Sequence, residues 1–133
     1  MSMAQAVLLI DHQNARLFRL GAEPTLGAKL HAHSHNTRQH GSTVRTEHEF
    51  FAEVCDALAG FKEVLVAAAH LAQVDFKHYV EKHRPHLAPL IVGWETVDHP
   101  SDGQLVALAR KFFARHDQMA GQPVPPAETS PRI

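Results

Sequence analysis

The sequence predicts an α/β domain built on a mixed five-stranded sheet, with elements in the order βββαβαβα and helices on both faces. Three observations carry this. Two apolar runs near the start, AVLLID (6–11) and ARLFRLG (15–21), flank a short polar HQN connection and so form a hairpin. Two later apolar runs, EVLVAAA (63–69) and LIVGWETV (90–97), enclose a helical segment, which makes them parallel strands of one sheet. Two capping boxes, Thr46 with Glu49 and Ser101 with Gln104, mark helix starts.

After the hairpin, LGAKLHAHSH (26–35) supplies a third strand. Leu26, Ala28, Leu30 and Ala32 alternate with Lys29, His31, His33 and His35, so one face is apolar and the other carries the histidines. Beyond Thr46, Phe51, Val54, Cys55 and Leu58 recur at helical spacing until Gly60 stops the helix. A second helix runs from about Leu71 to His83 and ends before Pro85. The third, opened by Ser101, turns Leu105, Val106, Ala109, Phe112 and Phe113 inward as far as about Met119. An antiparallel hairpin edge joined to a parallel half is the mixed sheet of a ribonuclease H-like fold.

A chain of 133 residues, 44% hydrophobic, closes one core, and residues 1–121 are expected to form a single domain. Residues 122–133, QPVPPAETSPRI, hold four prolines and little to bury, and are expected to be a disordered tail. The lone Cys55 has no intrachain disulfide partner, no signal-peptide pattern opens the sequence, and AVLLI is too short to span a membrane. The expectation is a soluble cytoplasmic protein with no membrane partner; composition does not fix its oligomeric state. The formal charge is −1 with histidine neutral and turns positive as the twelve histidines protonate.

Candidate chemistry concentrates between His31 and Thr43, HAHSHNTRQHGST, inside a segment from Pro24 to Thr46 that contains no Asp or Glu. His31 and His33, at i and i+2 on an extended strand, point the same way and could reach one zinc or other divalent transition metal, with His35 or His40 nearby. No CxxC or HExxH accompanies them, and completing the ligand set needs a residue from elsewhere, such as His12. The simpler reading is a solvated, histidine-rich edge strand with no bound cofactor. Phosphate contact is a second candidate role for the segment, through Lys29, Arg38 and Arg45 with the histidines around them.

Other constellations are weaker. A ribonuclease H-like nuclease gathers several carboxylates around metal ions, whereas only Asp11 is well placed here, the fourth strand ends in His70 where another carboxylate is wanted, and Glu47 and Glu49 are explained by capping and the helix dipole. Cys55 lies mid-helix on the apolar face and reads as buried and inert. Asp11 and His12 suit a strand-to-turn junction better than an acid–base pair. His70 and His99 fall where open α/β sheets place ligands, although loop solvation accounts for both. The groups Lys77, Lys82, Arg84 and Arg110, Lys111, Arg115 read as solvated helix faces.

Taken together, VLLIDHQNARLFRL, the RQHGST loop before a helix and EVLVAAAHLAQVDFKHYV resemble the middle domain of the class I peptide chain release factor of eukaryotes and archaea. The residues that carry the resemblance are Ile10, Asp11, His40, Gly41, Asp75, Phe76 and Lys77, and it covers roughly residues 6–120. The ending ETVDHPSDGQLVALARKFF is similar to bacterial translational machinery proteins, a release-factor-like family. The resemblance implies the ribosome, rRNA or tRNA as partner. Where the release factor carries its catalytic Gly-Gly-Gln after His-Gly, this chain has Ser42, Thr43, Val44 and Arg45, and Gln39 precedes His40 without that context. The expected function is therefore a noncatalytic translation accessory protein that contacts ribosome or RNA through residues 31–45, with Lys29, Arg38, His40, Gly41 and Arg45 as contacts. The competing expectation is a small metal-binding protein or metal-dependent hydrolase using His31, His33 and His35 with Asp11, His12 or His70.

Overall fold

A computed structural model describes residues 5–21, 23–32 and 42–121, with backbone alone for 42–46 and 119–121. Five strands, β1 (Gln5–Ile10), β2 (Asn14–Arg19), β3 (Thr25–His31), β4 (Glu63–Ala68) and β5 (Ile91–Thr96), form one sheet in the order β3-β2-β1-β4-β5. The pairs β1·β2 and β2·β3 are antiparallel, and β1·β4 and β4·β5 are parallel. The expected mixed sheet is the one observed. Helices α1 (Ser42–Leu58) and α2 (His70–His83) cover one face and α3 (Asp102–Gly121) covers the other. Among the described residues no helix is long and apolar enough to cross a membrane.

The two central strands are apolar at nearly every position because both their faces are covered. Ala6, Leu8, Ile10, Val64, Val66 and Ala68 pack under α1 and α2, against Phe50, Phe51, Val54, Leu58, Phe76 and Val80. Val7, Leu65 and Ala67 pack under α3, against Leu105, Ala109 and Phe113. The hairpin turn is fixed by Asp11, whose carboxylate accepts from the backbone N–H of Gln13 (2.7 Å) and Asn14 (2.6 Å), so this residue shapes a turn. Gly60, with φ +101°, provides the left-handed residue that stops α1.

Three local expectations are corrected. Thr46 does not cap α1: the helix already runs from Ser42, and nothing between Ser42 and Thr46 breaks it, so a further turn is added without a new nucleation cost. Leu26 does not join Ala28 and Leu30 on the α1 face. The β2·β3 register slips so that Ala28 pairs with Leu17 but Leu26 pairs with Phe18, leaving Gly27 as the extra residue of a bulge, and Leu26 is 47% exposed. His70 is the first residue of α2 rather than the end of a strand, and a 3₁₀ turn (Pro85–Leu90) with two prolines links α2 to β5. The Ser101–Gln104 box is present as expected: Ser101 N–H donates to Gln104 Oε1 (2.9 Å) and Gln104 N–H donates to Ser101 Oγ (3.1 Å).

Candidate functional site

The C-terminal ends of β1, β3 and β5 and the β1–β2 turn meet at one end of the sheet, beside the point where the chain leaves β3 and returns in α1. A groove of about 360 Å³ opens there, lined by Asp11, Arg16, Lys29, His31, His99 and Pro100 among others. Arg16 and Lys29 are directly opposed in the β2·β3 ladder, as are Asn14 and His31. Opposed like charges in a ladder destabilise it. Asp102, at the start of α3, moderates this by pairing with Arg16 at 3.1 Å. Lys29 is exposed and has no ion pair among the described residues. Asn14 Oδ1 can only accept, so His31 Nδ1 donates to it, at 2.5 Å. His99 holds a positive φ of 50° and its side chain is 95% exposed, which turns it outward at the mouth of the groove.

Of the residues expected to bind RNA or metal, Lys29 and His31 therefore share one groove. His33, His35, Arg38, His40, Gly41 and the side chain of Arg45 lie outside the described residues. Sequence reasoning missed Arg16. Its signal was available: on β2 it alternates with Ala15 and Leu17, so it falls on the same sheet face as Lys29 once β3 is paired.

A second cluster was also missed. His12 Nε2 lies 2.8 Å from Asp75 Oδ2 and 3.7 Å from Glu47 Oε2. Glu47 does not cap α1: the helix begins at Ser42, so Glu47 stands in the second turn and reaches across to the hairpin. A comparable group, Glu63, His116 and Asp117, closes the opposite end of the sheet around Gln5, which donates to Glu63 (2.9 Å) and Asp117 (3.0 Å). The basic helix residues are only partly solvated faces. Arg84 donates to Asp56 at 3.0 Å, Arg110 to the Gly21 carbonyl at 3.0 Å, and Lys77 lies 5.7 Å from the centre of the Trp94 ring.

Cys55 is 1% exposed, and burial pushes its thiol up to about 11, partly opposed by Arg84. The reactive thiolate is correspondingly scarce, so iodoacetamide near pH 8 is expected to modify native Cys55 at least about a hundredfold more slowly than the unfolded chain. Equal rates in a timed mass-spectrometric assay would place the thiol at the surface.

No known protein family and no curated protein matches the sequence. Solved structures do match. The chain is similar in fold to Pelota of Archaeoglobus fulgidus. The TM-score is 0.65 and the identity 17%, over 91% of this chain and 36% of that one. Dom34 of S. cerevisiae, described as a translation termination-like factor involved in RNA quality control pathways and interacting with Hbs1, aligns with a TM-score of 0.53 at 10% identity, over 91% of this chain and 37% of Dom34. The likeness is one of fold, and the chain spans little more than a third of the length of these neighbours.

Proposed function

We propose that this chain is a noncatalytic accessory protein of translation that contacts the ribosome or RNA through the end of the sheet carrying Lys29 and His31. The observation that carries the reading is the groove itself: Arg16, Lys29, His31 and His99 concentrate cationic and titratable side chains where an acid-free segment leaves the sheet. Phosphate binding needs local positive potential more than net charge. The likeness to a factor described as translation termination-like is consistent with it. In this reading Lys29, Arg38 and Arg45 contact phosphate, and His40 and Gly41 lie on the same contact segment. Peptidyl-ester hydrolysis is not part of the proposal. Ser42–Arg45, which stand where the resembling release factor carries Gly-Gly-Gln, supply no glutamine and begin α1.

Cosedimentation with ribosomes and subunits, together with rRNA and tRNA binding across a salt series, tests this. Binding is expected at low salt and weakens steeply as salt rises. The combination Lys29→Glu, Arg38→Glu and Arg45→Glu is expected to weaken it at least about tenfold and to flatten the salt slope by about 0.7–0.9 per lost phosphate contact. The combination Lys82→Glu, Lys111→Glu and Arg115→Glu, on α2 and α3, serves as the charge-matched control. No binding at low salt, or equal loss in the control, would sink the reading.

A further inference from the structure

We propose that His12, Glu47 and Asp75 form a binding site for one divalent transition-metal ion of the zinc class. The three residues come from separate elements, namely the β1–β2 turn, the second turn of α1 and the second turn of α2. His12 and Asp75 are 63 positions apart, and the fold places His12 Nε2 within 2.8 Å of Asp75 and 3.7 Å of Glu47. One donor atom from each residue lies within 4.8 Å of the other two. A tetrahedral ion with bonds of about 2.0–2.2 Å to nitrogen and carboxylate oxygen sets its ligand atoms roughly 3.4 Å apart. The observed spacings bracket that value, and rotation of two surface carboxylates is enough to centre an ion between them.

The chemistry of the donors selects the class of ion. An imidazole nitrogen beside two carboxylates suits zinc, nickel or cobalt, whereas calcium and magnesium prefer all-oxygen shells with more ligands or waters. Charge argues the same way. Two carboxylates face one imidazole, and no Lys or Arg pairs with either of them among the described residues. A divalent cation removes that excess. The side chains are 36%, 30% and 44% exposed, open enough for an ion to enter and for water to complete its coordination.

The supports are rigid. Asp11 fixes the turn that carries His12, while Phe50 and Phe51 on α1 and Phe76 on α2 anchor the flanking helices in the core. Occupation would tie the first turns of α1 to the end of the sheet, and so fix the helix that follows residues 33–41.

The test uses untagged full-length chain, stripped with chelator and titrated with zinc chloride by calorimetry and by amide NMR. One site per chain is expected, with shifts concentrated at His12, Glu47 and Asp75. Glu47→Gln and Asp75→Asn are each expected to weaken that site at least tenfold, while His86→Ala, on the exposed 3₁₀ turn, leaves it unchanged. Wild-type affinity in Glu47→Gln, shifts centred on other histidines, or displacement of zinc by equimolar calcium or magnesium would overturn the proposal. Glu47 is a surface residue whose amide isostere keeps its shape, so this variant carries the test even if Asp75→Asn fails to fold.

Discussion

Replacing Phe76 with alanine is expected to lower the stability of the fold by about 3–5 kcal/mol, the range for deleting a fully buried aromatic ring. The ring is 0% exposed and lies between α1 and the sheet. It meets the edge of Phe51 at 5.2 Å and approaches Trp94 at 6.3 Å, so three elements lose contact at once. Collapse around the gap is restricted, because the surrounding groups sit on a five-stranded sheet and a second helix. Urea unfolding should show a lower midpoint with an unchanged slope, since the unfolded chain exposes nearly the same surface. A domain of this size has about 5–15 kcal/mol in all, so the variant should lie near the edge of folding. A cost below about 1 kcal/mol would mean that the ring is not part of the core.

Gly93→Val is expected to cost about 1–3 kcal/mol through overpacking rather than loss. A Cβ at this position on β5 would fall 2.5 and 2.7 Å from atoms of the Phe112 ring and 3.0 Å from Leu65 Cδ1. The ring does not swing away freely. It is stacked on His116 at 5.7 Å and edge-on to Phe113 at 5.2 Å, so displacing it disturbs the docking of α3. The two sites should therefore be coupled. Phe112→Ala alone destabilises, yet in the double variant it makes room for the valine, and the two costs should sum to more than the measured total. Simple additivity in a double-mutant cycle would count against the clash.

What was legible in the sequence was local. The Ser101–Gln104 box, the Asp11 turn and the Gly60 stop each depend on residues at most a few positions apart, and all three appear as read. The apolar runs of β1 and β4 read as strands, but the hairpin reading did not place β1 at the centre of the sheet, where burial on both faces leaves almost no polar position. Thr46 and Glu49 misled because the box pattern specifies a possible cap without excluding an earlier one. Leu26 was misread because alternation assumes an unbroken register, and the bulge at Gly27 shifts every residue before it by one. The site was harder still. His12 and Asp75 meet across 63 residues, and no local pattern marks either as the other's partner.

The strand order also sets a sequence of events during synthesis. The β1-β2-β3 meander is made of near neighbours and can pair as soon as it emerges. Its first strand, however, belongs at the centre of the sheet, and the partner on its other side comes 58 residues later, where Gln5 meets Glu63. Until β4 is made, Val7 and Leu8 border an unpaired backbone edge of the kind that attracts foreign strands. The nascent chain is most exposed to mispairing in the interval when α1 is being completed, because α1 packs on a face of the sheet and the edge is closed only when β4 pairs with β1.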